Sequence, residues 1–366
     1  MKKLKVIISG GGTGGHIYPA LAIAKAIEKQ VSNVEFLFVG AKDRMEMEKV
    51  PNEGYKIIGL WISGLQRGLD KRNLLFPFKV LHSIWNAKKI IKAFKPDLAI
   101  GTGGYASAPL LYVAAKNGIP SLIQEQNSYP GITNRILARY VHKICVAYEK
   151  MDKFFPLEKI MLTGNPIRKD ILDFENKSEE GQELFEIDES KPTILVIGGS
   201  LGALTINNAI AENIQKFKDM GINLIWQTGT SYQHKAQEFI TDINVKGINA
   251  YTFIKEMDKA YAAADVIISR AGAIAISELC CIGKPIILVP SPNVAENHQY
   301  KNAQSLVNKN ASLIVEDAKA SRKLVDTLKE LLKNEGLKVS LSSNIKKIAV
   351  TDAADRIAKI ALDLVK

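Results

Sequence analysis

Short, uninterrupted apolar runs recur along the chain. Each run ends in glycine or polar turn residues and is followed by a longer stretch with apolar positions three and four apart. Lys5–Ser9, Val34–Val39, Asp97–Ile100, Ser121–Gln124 and Ile144–Ala147 have the form of strands buried on both faces, and the stretches between them have helical spacing. Strand–helix alternation of this kind predicts an α/β fold with a parallel sheet. The pattern restarts at Thr193-Ile-Leu-Val-Ile-Gly-Gly-Ser-Leu-Gly-Ala-Leu204, again a strand, a glycine turn and a helix. A longer unit also occurs twice. Pro96-Asp-Leu-Ala-Ile-Gly-Thr-Gly-Gly-Tyr105 leads through a helix to Gly118-Ile-Pro120, and Ala264-Asp-Val-Ile-Ile-Ser-Arg-Ala-Gly-Ala273 leads through a helix to Gly283-Lys-Pro285. Two similar domains follow, with ligands expected at the carboxyl ends of their strands. We place them at 1–165 and 166–349, with a terminal helix over 350–366. Phe174–Pro192, polar and acidic without a clear period, is expected to be a surface excursion.

Size agrees with two domains, since 366 residues exceed what one core usually serves. No long apolar run and no charged-then-apolar leader is present, so the expectation is a cytoplasmic chain whose membrane contact is peripheral. Cys145, Cys280 and Cys281 form no C-x-x-C pair and read as reduced core thiols. The histidines at 16, 82, 142, 234 and 298 have no zinc spacing, so no metal site is predicted. The net charge of +11 is uneven: through Asn165, 24 Lys and Arg face 12 Asp and Glu, whereas beyond it 25 face 26. A basic half attracts phosphates, of nucleic acid or of an anionic lipid surface.

The first glycine turn, Gly10-Gly-Gly-Thr-Gly-Gly-His16, joins a buried strand to a helix. Glycines there permit close approach, and the helix start favours an anion or a developing negative charge. Gly10, Gly12 and Gly15 also satisfy the dinucleotide spacing, but the second strand ends in Gly40 where a nicotinamide site needs an acid. A sugar or phosphate cradle is the better reading. The segment Leu65–Phe94 mixes Leu74, Leu75, Phe76, Phe78, Ile84 and Trp85 with Arg67, Lys71, Arg72, Lys79, Lys88, Lys89 and Lys92 against the single acid Asp70. This composition suits either an interfacial membrane patch or an amphipathic crossover helix whose lysines are solvated.

Taken together, Gly10–His16, Gly101-Thr-Gly-Gly-Tyr105, Glu125-Gln-Asn127, Gly164-Asn-Pro-Ile-Arg168, Gly198-Gly-Ser-Leu-Gly-Ala203, Arg270-Ala-Gly272 with Ser277-Glu278, Asn297-His-Gln299 and Asn302-Ala303 resemble the MurG family. These are the bacterial peptidoglycan GlcNAc transferases, of glycosyltransferase family 28. The resemblance runs from residue 4 to the C-terminus. It implies the GT-B fold, two Rossmann-like doubly wound domains facing across a cleft, with the last helix crossing back to the first. It also implies an inverting enzyme that moves GlcNAc from UDP-GlcNAc to the muramyl 4-hydroxyl of undecaprenyl-pyrophosphoryl-MurNAc-pentapeptide, the step from lipid I to lipid II. The work would be done at the cytoplasmic face of the cell membrane, in cell wall synthesis and hence in cell shape and division.

By the same resemblance Thr13, Gly14, Gly15 and Asn127 meet the donor sugar, Arg168 and Ser200 the diphosphate, and Ile254 with Ala273, Ile274, Ala275, Ile276, Ser277 and Glu278 the uridine. Gln299 would hold GlcNAc hydroxyls, whereas His298 stands where some relatives carry a second glutamine. Inverting transfer needs a base at the acceptor hydroxyl and help for the departing diphosphate. His16, at a helix start where its pKa should be depressed, and Glu125 are the two candidate bases. No Asp-x-Asp is present, so helix ends and Arg168 are expected to stabilise the leaving group with neither metal nor cofactor. A UDP-GlcNAc 2-epimerase of the same fold would keep the uridine site without a membrane face. A nucleic-acid-binding protein would explain the charge but not the two glycine turns, and no nucleic acid partner is expected. The expected docking residues are Leu75, Phe76, Phe78, Trp85, Lys88, Lys89 and Lys92.

Overall fold

The five apolar runs of the first half become strands, and two edge strands join them: β1 Leu4–Gly10, β2 Val34–Ala41, β3 Lys56–Leu60, β4 Leu98–Gly103, β5 Ser121–Glu125, β6 Lys143–Val146 and β7 Ile160–Leu162, with β3 and β7 at the edges. The second half supplies β8 Thr193–Ile197, β9 Asn223–Gln227, β10 Ile248–Tyr251, β11 Val266–Ser269, β12 Ile286–Leu288 and β13 Leu313–Ile314. The computed structural model describes residues 3–64, 74–168, 171–199, 201–294 and 297–366. Among these, the strands form a seven-stranded sheet of order β3-β2-β1-β4-β5-β6-β7 and a six-stranded sheet of order β10-β9-β8-β11-β12-β13. Every pairing is parallel. The chain divides into two compact units, one of Met1–Ile167 with Asp352–Lys366 and one of Arg168–Thr351.

Alternation along a strand explains why both faces must be covered. In β1, Val6 and Ile8 enter one apolar layer and Ile7 the opposite one. In β8, Ile194 and Val196 face one layer while Leu195 and Ile197 face the other. The helix Gly14–Gln30 covers the first face of β1. The returning helix Ala353–Asp363 adds Ile357, Ala358 and Ala361 to the same layer. Strand order reverses between β1 and β4 and between β8 and β11, and at such a reversal the two flanking loops diverge and leave a crevice. The glycine turns after β1 and β8 stand at these two points.

Phe174–Pro192 departs from expectation. Rather than a surface excursion, it holds the helix Ser178–Leu184 and buries Phe174 and Phe185 in the second unit's core. Its apolar anchors are too widely spaced to give a periodic signal. Of the segment Leu65–Phe94, residues 65–73, among them Arg67, Asp70, Lys71 and Arg72, lie outside the described residues. The remainder forms the helix Phe76–Phe94, which buries only Ser83, Ala87 and Ile91.

Candidate functional site

In the first unit the turn after β1 is shaped by a carboxylate. Gly12 has φ of +86°, a conformation natural only to glycine. Its N–H donates to both oxygens of Glu46, at 3.2 and 3.0 Å, and Ala41 N–H donates to Glu46 Oε1 at 2.9 Å. Glu46 opens the short helix Glu46–Asn52 and is fully buried. Thr13 is extended at the N-cap of the helix that carries His16.

His16 Nδ1 lies 3.0 Å from the carbonyl oxygen of Gly11 and 3.2 Å from Thr13 Oγ1. A carbonyl only accepts, so this contact assigns a proton to Nδ1, and in the neutral form of the ring the lone pair is then on Nε2. The ring edge Cδ2–Nε2 sits against Gly103, where an added Cβ would come within 2.9 Å of Cδ2. The backbone of His16 is fixed as well, because Thr102 Oγ1 donates to its carbonyl at 2.8 Å.

Glu125, at the end of β5, is buried and surrounded by donors. Asn127 N–H and Asn127 Nδ2 reach Oε1 at 3.0 and 3.2 Å, and Gly131 N–H and Asn134 Nδ2 reach Oε2 at 3.1 and 2.9 Å. Burial pushes its pKa above the usual carboxylate value, and the four donors oppose that rise. Glu125 therefore holds the loop bearing Asn127 in place. Asn134, whose Oδ1 is buried without a hydrogen-bond partner, approaches the same Gly103 that faces His16.

In the second unit, Arg168 Nε lies 3.7 Å from Glu278 Oε1, and the buried Tyr261 hydroxyl donates to Glu278 Oε2 at 3.4 Å. Glu278 sits within the helix Ala273–Ile282, whose first residues Ala273, Ile274, Ala275, Ile276 and Ser277 follow the N-cap Gly272. Ile276 N–H closes the first turn on Gly272, and Ser277 Oγ donates back to Ala273 O at 3.0 Å.

Gln227, at the end of β9, spans two predicted subsites. Its Nε2 donates to Gly199 O at 3.0 Å, and its Oε1 accepts from Ile254 N–H at 3.0 Å. Gln299 Oε1 accepts from Ser291 N–H at 2.8 Å and Ala271 N–H at 3.3 Å, which ties the ends of β11 and β12 together. Arg270 is ion-paired with Asp317 and donates to Val289 O at 2.9 Å, a framework role. Ser200 lies outside the described residues.

Leu75, Phe78 and Trp85 are exposed on the helix Phe76–Phe94 or its approach, with Phe76 half-buried and Lys88, Lys89 and Lys92 exposed around them. Lys89 Nζ lies 3.3 Å from the centroid of the Trp85 ring.

Glu46, Gln227, Tyr261 and Asn134 were not singled out by sequence reasoning. Glu46 opens a short helix soon after Gly40, and nothing in the periodicity marks its carboxylate as turned inward.

Two parallel α/β units, each with a glycine turn at its strand-order reversal, have the architecture of the GT-B fold. The chain belongs to glycosyltransferase family 28: its N-terminal domain description matches residues 6–146 and its C-terminal domain description residues 193–357. The chain is 52% identical over 364 residues to a protein of Cytophaga hutchinsonii, covering all of this chain and 98% of that one. That protein is named UDP-N-acetylglucosamine--N-acetylmuramyl-(pentapeptide) pyrophosphoryl-undecaprenol N-acetylglucosamine transferase. A protein of the same name from Christiangramia forsetii is 51% identical, with 97% and 96% covered. The crystal structure of MurG from Acinetobacter baumannii superposes with a TM-score of 0.79 at 29% identity, over 99% of this chain and all of that one.

Proposed function

We propose that this chain transfers GlcNAc from UDP-GlcNAc to undecaprenyl-pyrophosphoryl-MurNAc-pentapeptide, converting lipid I to lipid II. The observation that carries the reading is end-to-end identity of about half with transferases of that name. The side chains supply chemistry suited to it. His16, protonated on Nδ1, offers Nε2 to take the proton of the attacking muramyl hydroxyl, and the sugar centre inverts as the bond to UDP breaks. Arg168 beside Glu278 sets a cation next to a hydrogen-bond acceptor, a pairing that suits a diphosphate adjoining a ribose. Thr13, Gly14, Gly15, Asn127 and Gln299 are assigned to the sugar, and Ile254 with Ala273–Glu278 to the uridine. The second glycine turn, which includes Ser200, is assigned to the diphosphate.

An acceptor with an undecaprenyl tail stays in the bilayer, so the enzyme must work at its surface. The exposed apolar and basic residues between Leu74 and Lys92 suit peripheral attachment to anionic lipid on the cytoplasmic side.

Incubating the full chain with radiolabelled UDP-GlcNAc and lipid-linked muramyl-pentapeptide in phospholipid tests this directly. Label should move into the lipid product with release of UDP. Free N-acetylmannosamine with an unlabelled lipid fraction would identify an epimerase instead.

A further inference from the structure

We propose that Glu46 is a positioning residue for His16, acting through the one peptide plane that joins Gly11 to Gly12. The inference rests on His16 being the base and adds what sets its tautomer. Glu46 is a fully buried carboxylate whose two oxygens are taken by backbone N–H groups of Gly12 and Ala41. Burying a carboxylate is costly unless donors meet it, and these do. The room for it is prepared, since a Cβ on Gly11 would collide with Oε1 and a Cβ on Gly40 would press on Cγ.

The C=O of Gly11 and the N–H of Gly12 belong to the same trans peptide and point in opposite directions. The N–H end is held by Glu46, so the C=O end is aimed at His16 Nδ1, 3.0 Å away. A peptide between two glycines otherwise flips readily, and a flip would present a donor to Nδ1 and force the proton to Nε2. The anion also polarises the peptide, which strengthens acceptance at Gly11 O and raises the basicity of Nε2. The arrangement reverses the usual use of a glycine turn. The Gly12 N–H that could grip a phosphate is filled by the protein's own carboxylate, so this turn aims a base.

The test uses the full chain, nitrogen-15 labelled, with imidazole tautomers read from long-range proton–nitrogen correlations. The His16 signal, one of five histidines, is assigned by its loss in His16→Gln. The wild type should show the Nδ1–H form. In Glu46→Gln one oxygen must serve both Gly12 and Ala41 while the amide nitrogen faces Gly12 N–H, so the hold on that peptide weakens, the Nε2–H form should appear and kcat should fall about 10- to 100-fold, as for losing an outer partner of a metal-ligating imidazole. KM for UDP-GlcNAc should stay unchanged. Gly40→Ala, which displaces the carboxylate without removing it, should act in the same direction and serves if Glu46→Gln does not fold. An Nε2–H tautomer in the wild type, or an unchanged tautomer and kcat in either folded variant, overturns the proposal. Full kcat in His16→Ala would instead remove the base assignment and leave the tautomer measurement to decide the role of Glu46.

Discussion

His16 and Glu125 differ in how their partners hold them. The imidazole is half-exposed, its Nδ1 lies against Gly11 O and Thr13 Oγ1, and its Cδ2–Nε2 edge is on the Gly103 side. The carboxylate is 2% exposed and commits both oxygens to four donors. Removing a general base costs about 10²- to 10⁴-fold in kcat. His16→Ala should show that loss with donor KM unchanged, in steady-state assays that vary each substrate. A rise in acceptor KM at nearly normal kcat would instead make His16 a binding residue. Glu278 makes a complementary case, with one oxygen facing Arg168 and the other held by Tyr261. Glu278→Ala should raise KM for UDP-GlcNAc by the worth of a charged hydrogen bond, about 1.5–3 kcal/mol, at nearly constant kcat. Unchanged donor affinity would move the ribose contact elsewhere.

At the scale of elements, the central strands were legible because both their faces are covered and their sequences are continuously apolar. The edge strands β3 and β7 were not, since their side chains are largely half-exposed and no buried run announces them. The helix beginning at Glu46 was silent for another reason. Its importance lies in one charged residue turned inward, and periodicity does not report the direction of a charge. Gln227 and Tyr261 are likewise ordinary strand and helix residues until the fold brings Gly199, Ile254 and Glu278 to them.

Lys284 shows how an element end can set a pH response. It follows the left-handed C-cap Gly283 and donates to the carbonyls of Ala262, at 2.7 Å, and Ala264, at the end of the helix Met257–Ala263. Burial lowers its pKa to about 8, against about 10.4 in an unfolded chain. Between those values the unfolded chain binds more protons than the folded one, so this lysine's contribution to stability rises with pH across that window and is lost as pH falls through 8. Denaturant titrations from pH 7.5 to 10.5 should show that slope in the wild type. Lys284→Met should flatten it, and an equal slope in the variant would place the titration on another group.

For the molecule as a whole, the question is how the proposed lipid-borne acceptor is reached. No described helix is long and apolar enough to cross a membrane. The basic excess lies in the first half of the chain, the half that carries the exposed side chains of Leu74, Leu75, Phe78, Leu81 and Trp85. Only Ser83, Ala87 and Ile91 of the helix Phe76–Phe94 are buried, so its aromatic face is not core and can be altered without opening the fold. Basic residues near an anionic leaflet contribute about 1 kcal/mol each, and stable attachment needs them to act with apolar insertion. Phe78→Ser with Trp85→Ser, and separately Lys88, Lys89 and Lys92 each to Gln, should reduce co-sedimentation with anionic vesicles. The lysine set should also weaken its salt dependence. Both sets should still glycosylate a water-soluble acceptor analogue and melt near the wild-type temperature. Undiminished vesicle binding by either folded variant would place the docking surface elsewhere on the chain, and unfolding on the aromatic replacement would return those side chains to a structural role.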